Sequence, residues 1–546
     1  QSHSRNRNRE PGVNSHSNAS IDANNSESPA ALAFSPRGDY VFTALQGNDL
    51  VSIFDDLAIR AGGGRSSLAR LEVGYAPRGL AWDTATDSLW VQNFLSRDLT
   101  RIRMADFLAS GDRRFQRSTH TSSRIERLAP DVLAGKQLFF FAGNHPEGVN
   151  EMSFEGYISC ASCHIDGGHD GRTWDFTQRR EGFRNTQDLR GRAGTAHGNL
   201  HWTANFDEPQ DFAIEIVEEF GGLGFLPEGE TPHPSLGTPN AGRSQALDEL
   251  AAYLTSLDRS TLPRSPFRQA NGRFSAQAEA GAAIFADLGC ATCHDPAGDY
   301  TDSTLGTATL HDVGTLRDSS GNRLGQPATG MSTPTLLGIW DSAPYFHDGS
   351  AESLAEVFEV AGGRIYQAEH GVLGGEAQIP GFIDINWDST AHGRLVRLRQ
   401  DGDSVTFNNV DGGGGGIGAV ELRFLPGGNG SLSISVNGAG AQQAGFSQQR
   451  THFEWSRLRF ENVALRAGTD NTIVVRRESS NRGTPSLDHI TVSTAGELAR
   501  AAPHRAASNL SEADVNRLKA YLLELDGRDA SGRPAGRDRL FRDRFQ

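Results

Sequence analysis

Apolar residues recur along this chain with more than one period. In PAALAFSPRGDYVFTALQGNDLVSIFD (29–55) and APRGLAWDTATDSLWVQNFLSRDLTRIRM (76–104) they alternate with polar ones in short runs, and each stretch holds three candidate strands separated by Asp- or Gly-containing turns. From RIERLAPDVLAGKQLFFFAGN (124–144) the period lengthens: Leu128, Val132, Leu133, Leu138 and Phe139 recur at helical steps, 128 to 132 four apart and 132 to 139 seven, and predict a helix. The same pattern returns in SAQAEAGAAIFADLGCATCH (275–294). Further helices are predicted in DFAIEIVEEF (211–220), SQALDELAAYLTSLD (244–258) and SEADVNRLKAYLLELDG (511–527), where Ser511 and Asp514 can cap the first turn. Between about 371 and 497 alternation takes over, in VTFNNVDGGGGGIGAVELRFLPGGNGSLSISVNG, FEWSRLRFENVALRAGTDNTIVVRRE and SLDHITVS. Short strands punctuated by Gly and Asn predict a β-sandwich set into helical surroundings.

Two short motifs give this framework its chemistry. Cys160, Cys163 and His164 stand in GYISCASCHIDGGHDGRTWDF, and Cys290, Cys293 and His294 stand in LGCATCHDP; the chain has no other cysteine. Two thiols two residues apart can form thioethers with the vinyl groups of one haem, and the next residue's imidazole then reaches the iron. A zinc site built from both pairs accounts for the cysteines but leaves a histidine directly after each pair without a reason, and a redox dithiol needs no such histidine either. Two covalently bound c-type haems are therefore expected.

Composition narrows the setting. A length of 546 residues exceeds one core, and a net charge of −15 disfavours nucleic acid as a partner. No run approaches the roughly 20 apolar residues of a membrane span. Covalent haem attachment takes place outside the bacterial cytoplasm, which places the protein in the periplasm or outside the cell. The polar stretch 1–29 reads as a disordered tail of a processed chain. Arg is used almost to the exclusion of Lys, found only at Lys136 and Lys519.

The expected architecture is a multidomain α + β protein: two mainly α-helical cytochrome c-type haem domains, an inserted β-sandwich (jelly roll) and N-terminal propeller-like β-blades. Residues 30–120 are assigned to about two blades, 121–262 to the first haem domain, 263–370 with 498–546 to the second, and 371–497 to the sandwich. The blade spacing, a little under fifty residues, and the turn chemistry resemble the YVTN type of β-propeller. Two blades do not close a ring, so a partner chain or further N-terminal polypeptide is expected to complete it. The strand SISVNG, the segment from Leu465 to Ile473 and the closing LDHITVS resemble carbohydrate-binding modules of families 6 and 35. That likeness makes a glycan a candidate ligand and Trp387 and Trp455 candidate stacking platforms, each otherwise a core residue.

Finally, GKQLFFFAG, the first haem motif with its downstream loop, GFRNTQDLRG, HWTANFDEPQDF and above all TPTLLGIWDSAPYFHDGSAESLAEVFE (333–359) resemble the dihaem cytochrome c peroxidase and MauG superfamily. The resemblance implies a cytochrome c peroxidase-like oxidoreductase: a peroxidatic haem held by His164, a six-coordinate relay haem held by His294, and a small redox protein or another cytochrome as electron donor. It matches Trp202 to a tryptophan between the haems, Gln210 and Glu218 or Glu219 to a distal glutamine and an acid/base glutamate, and His347 to a histidine near the haem pair. Calcium is a further candidate cofactor. The family's distal histidine position holds Arg180, which cannot ligate iron, so the first haem is expected open unless His169, His197 or His201 closes it. The relay haem's distal position holds Ala361; His504 is the favoured substitute, with His370, Tyr366 and Met331 as alternatives. The rival reading is an electron-transfer or scaffold cytochrome with both irons six-coordinate, its β modules serving assembly or attachment to surfaces and glycans.

Overall fold

The computed structural model describes residues 28–533 apart from 63–66, 124, 144–150, 317–319, 361–362, 380–394, 448–455 and 481–483. Nearly all of the N-terminal tail, together with Ala361, Trp387 and Trp455, lies outside the described residues.

Two antiparallel four-stranded sheets open the chain. β1 (Pro29–Phe34), β2 (Tyr40–Leu45), β3 (Leu50–Asp55) and β4 (Ala69–Glu72) pair in sequence order, as do β5 (Pro77–Asp83), β6 (Ser88–Asn93), β7 (Asp98–Arg103) and β8 (Gln116–Thr121). Each sheet therefore has one strand more than the three that alternation alone predicts. The alternating apolar side chains of the inner strands, among them Phe42, Val51, Ile53, Leu89, Val91 and Ile102, meet in one shared core, whose burial contributes about 1.5–3 kcal/mol per large side chain. The sheets are tied to the first haem motif from the side: the buried Asn48 amide donates to the carbonyls of Gly143 and Gly156, both at 2.9 Å, and Arg78 pairs with Asp166 at 2.5 Å.

Each Cys-x-x-Cys-His segment is backed by one pair of crossed helices. α1 (Pro130–Phe140) packs on α2 (Gln245–Ser256), and α3 (Ala276–Asp287) packs on the late helix Glu512–Leu523. The crossings use the same device. A Cβ on Gly135 would sit 1.8 Å from the Glu249 carbonyl oxygen, and one on Gly281 would sit 2.0 Å from that of Arg517, so only glycine allows the backbones so close. Four residues after each glycine an aromatic ring meets a tyrosine of the partner helix: Phe139 with Tyr253 at 5.1 Å, Phe285 with Tyr521 at 5.4 Å. Ser244, Ser275 and Ser511 each accept a backbone N–H at their helix starts.

The rest of these segments is not helical. Between 151 and 244 the chain runs through loops, single 3₁₀ turns, a two-strand hairpin (173–176 with 182–185) and a short helical stretch that widens to a π-turn over Glu215–Glu219. The expectation of two mainly α-helical haem domains is thus overturned, and the described chain is rich in β-structure. The physical reason is visible in the loops, which are rich in glycine and in residues at positive φ such as Arg180, Ala193, His201 and Ala204. They curve around cavities rather than pack on one another.

Two five-stranded sheets make up most of the last third. One has the order β9 (Arg364–Gln367), β18 (Ser486–Thr494), β13 (Gly416–Leu425), β16 (Ser456–Leu465), with β11 (Val396–Arg397) also pairing to β18; the other has the order β10 (Val372–Gly374), β12 (Ser404–Val410), β17 (Asn471–Ser480), β14 (Gly430–Val436), β15 (Gln442–Phe446). Val405, Phe407, Leu422, Phe424, Ile434, Val475 and Ile490 fill one core between the layers. The first strand lies at Arg364–Gln367, ahead of the boundary that alternation marks near 371. The sandwich is also bonded to its host. Arg423 is buried and reaches Asp488 at 2.6 Å and Glu352 at 2.9 Å, and Arg457 reaches Glu356 at 3.0 Å. Glu356 lies on α4 (Leu354–Val360), just past the HDGS loop. β18 then runs straight into α5 (Ala495–Arg500) through a capping box of Thr494 and Glu497, and on into α6 (Ala502–Arg505), which packs against α4. The helix on which α3 rests, now α7 (Glu512–Leu523), closes the chain.

Candidate functional site

Two cavities with largely apolar walls lie on either side of a thin partition, and each contains one complete Cys-x-x-Cys-His motif. The first, about 240 Å³, is lined by Cys160, Cys163 and His164. The second, about 410 Å³, is lined by Cys290, Cys293 and His294. The motifs are built alike. His164 Nδ1 lies 3.1 Å from the Gly168 carbonyl and His294 Nδ1 lies 3.0 Å from that of Tyr300. A carbonyl only accepts, so in each ring Nδ1 carries the proton and Nε2 keeps its lone pair. Burial lowers both pKa values, which keeps the rings neutral and fit to ligate a metal.

In the second cavity a further imidazole faces the motif. The ring of His504 stands 6.4 Å from that of His294, centroid to centroid, with planes at 65°. That gap admits one metal atom between two ring nitrogens at bonds of about 2 Å. Burial, reinforced by His294, brings the His504 pKa down to about 4, and its Nδ1 is buried without a hydrogen-bond partner. Phe346 packs edge-on against it at 5.5 Å. Of the alternatives, Met331 lines the same cavity. Tyr366 and His370 instead belong to the sandwich and the turn beside it: Tyr366 packs on the sandwich core and accepts from the Asp411 amide at 2.7 Å.

The first cavity has a different character. Arg179 projects into it from the hairpin, over the ring of Phe176 at 4.5 Å, bonded closely to Glu215 and 3.4 Å from Glu219. Glu181, His201 and Glu215 bring their ligand atoms within 4.8 Å of one another, a grouping suited to a cation, but the Arg179 guanidinium is already paired closely with Glu215 and lies 3.9 Å from Glu181. His201 donates through Nδ1 to Asn205 Oδ1, 2.8 Å away, and burial lowers its pKa. Arg180, the neighbour of Arg179, is exposed, in a left-handed turn. His169 accepts from the Gly171 amide, and His197 pairs with Asp299 at 3.0 Å; neither lines the cavity. Glu219 lines it, Glu218 is exposed, and Gln210 is tied by its amide to Asp248 on α2 at 2.8 Å, away from the cavity.

Trp202 lines both cavities, along with Asn185, Thr186, Gln187 and Arg192. Its indole donates to the Asn185 carbonyl at 2.8 Å, while its own carbonyl accepts from Ser332. His347, fully buried, lines the second cavity, lies 6.4 Å from the Trp202 ring and has Ser320 Oγ 2.9 Å from its Nε2. The Asn185 amide N–H donates to the His347 carbonyl at 2.6 Å, so the HDGS loop and the partition are one bonded unit. Arg179, Glu181, Glu215, Asn185 and Arg192 are the residues that motif reading missed. Glu215 lies in the predicted helical stretch, where the π-turn sets its direction, and the positions of the others depend on loops and a hairpin turn that leave no periodic trace in the sequence.

The RoxA-like, cytochrome c-like family matches residues 330–364, which include the HDGS loop and Met331. Hydrazine synthase subunit gamma of Kuenenia stuttgartiensis is 30% identical over 241 residues, 37% of this chain and 64% of that protein, so the chain spans under two thirds of this relative. The two likenesses support a cytochrome c protein with covalently bound haem and redox chemistry. Among solved structures, a family 35 carbohydrate binding module from Clostridium thermocellum is 26% identical over 24% of this chain and 98% of the module, with a TM-score of 0.21. An exo-beta-1,3-galactanase from Phanerochaete chrysosporium is 27% identical over 24% of this chain and 29% of that enzyme, with a TM-score of 0.20. No helix among the described residues is long and apolar enough to cross a membrane.

The motifs fit the cofactor. Each cavity presents two thiols, one imidazole with a free lone pair, and apolar walls to one volume, which is the donor set that a covalently attached haem requires.

Proposed function

We propose that the chain is a dihaem c-type cytochrome, periplasmic or extracellular, that reduces hydrogen peroxide or uses it to oxidise a substrate. Cys160, Cys163 and His164 would hold the reactive haem; Cys290, Cys293, His294 and His504 would hold the relay haem. The observation that carries this reading is the asymmetry of the two cavities. One sets a second imidazole across from the motif histidine, and the other is lined by an arginine and carboxylates.

A bound haem supplies one-electron redox chemistry at its iron. The protein's own part in the first cavity is to handle protons. Reducing peroxide to two waters consumes two electrons, here from a small redox protein or another cytochrome, and two protons. The Glu219 carboxylate, at the cavity wall and held by Arg179, can take a proton from one peroxide oxygen and return it to the other, making water the leaving group. Arg179 pairs closely with Glu215 and offers charge to an oxygen anion. Trp202 stands in the partition, where its ring shortens the path between cavities.

The β-sheets are proposed to serve attachment. The paired four-stranded sheets suit the flank of a propeller completed by a partner chain or further polypeptide, and the sandwich suits a module that docks on a glycan. The test of the central reading is the spin state of the resting ferric protein. One high-spin and one low-spin haem, with only the high-spin band responding to peroxide, is the expected result. Two low-spin haems without a peroxide response would favour the electron-transfer cytochrome instead.

A further inference from the structure

The partition contains a cation that no carboxylate among the described residues pairs with directly. Arg192 lines both cavities. Its Nε is buried without a hydrogen-bond partner, and none of its guanidinium nitrogens makes a hydrogen bond or ion pair to the described residues. The surface it retains faces the cavities. The nearest carboxylate, Asp188, is already taken: Arg190 grips it with Nε at 3.0 Å and Nη2 at 2.6 Å. Desolvation alone brings the Arg192 pKa down to about 10, with only a weak opposing pull from Asp188.

The backbone holds the side chain there. Gly191 has φ +81°, and a Cβ on it would lie 2.6 Å from the Leu262 side chain. Its amide donates to Thr261 Oγ1 at 3.2 Å. The chain is thus pressed against Leu262 on one side, and Arg192 is set into the partition on the other. Leaving an unpaired guanidinium in such a place is strongly unfavourable unless an anion joins it. Haem carries two carboxylates on its rim, and a planar guanidinium binds carboxylate in bidentate fashion.

We propose that Arg192 is the shared seat of the propionates of the two haems and couples their reduction. The proposal rests on the dihaem reading. A cation at both rims stabilises each reduced, less positive haem, so both midpoint potentials depend on one side chain. A neutral substitute should lower both.

The test uses the full holoprotein with Arg192→Gln and Arg192→Lys, read by spectroelectrochemical titration and by haem content per chain. Arg192→Gln should shift both midpoint potentials downward, while Arg192→Lys, which keeps the charge and loses the fork, should shift both less. Resonance Raman spectra of Arg192→Lys should also move the propionate bending bands of both haems. Potentials and propionate bands equal to those of the unaltered protein, or changes at one haem alone, would overturn the proposal. If Arg192→Gln does not accumulate, Arg192→Lys decides on its own by the same two readouts. One haem per chain in the unaltered protein would instead remove the dihaem reading itself, which the haem content reports separately.

Discussion

Arg423 of the sandwich and Glu352 of the HDGS region, 71 positions apart, meet at 2.9 Å across the boundary between the two parts of the molecule. Burial pushes the Glu352 carboxyl up to about 7, against the pull of Arg423. Because its pKa is higher folded than unfolded, this group's contribution to stability is complete below the ordinary carboxylate range and is lost as pH rises through about 7. Glu352→Gln mimics the protonated form. Its stability should match the unaltered protein near pH 4 and exceed it near pH 8 by about 1 kcal/mol, since solvent screens this partly accessible pair. Urea unfolding at the two pH values checks this; a difference that is the same at both would rule it out.

His504→Ala should convert one low-spin haem to high-spin and leave the other haem's spectrum unaltered, since only the second cavity contains this ring. Met331→Leu, in the same cavity, should leave the spin state as it was. The opposite pattern in electron paramagnetic resonance would transfer the ligand role from His504 to Met331.

Gly281→Val would drive a side chain into the Arg517 carbonyl. We expect a loss of about 3 kcal/mol or more, since the helix pair must part to admit it. The damage should fall on the second haem's absorption, and Gly135→Val should do the same for the first. Equal loss at both haems in either variant would show that the two helix pairs do not fold as separate supports.

Arg179→Ala leaves Glu215 buried with its main cationic partner gone, which costs about 3–5 kcal/mol. Arg179→Gln combined with Glu215→Gln removes both charges and should recover much of that stability while still losing the peroxide response. Thermal unfolding of the single and double variants gives the coupling. Additive losses would mean that the pair is not a unit.

What could be read from the chain alone was whatever carries a short-range signature. The two Cys-x-x-Cys-His motifs, the cap at Ser511 and the alternation in strands such as Leu50–Asp55 and Gly430–Val436 are local patterns. Trp202 and His347 were singled out by resemblance, and the structure places them 6.4 Å apart. The helix content around the cofactor sites was overestimated because DFAIEIVEEF does have helical spacing, yet its neighbours bend around a cavity. The acidic residue chosen from that stretch depended on register. In the π-turn Glu215 and Glu219 face the cavity while Glu218 faces solvent. Likewise Arg179, not Arg180, enters the site, a difference decided by one left-handed residue.

The path from β18 through α5 to His504 has a consequence for biosynthesis. Cys290, Cys293 and His294 emerge from the ribosome long before the sandwich does, and His504 emerges only after it. The second cavity is therefore complete only when the sandwich has closed and carried the last imidazole into place. The module thereby decides when that wall is finished, while the first cavity, whose motif and lining all precede residue 260, is complete without it.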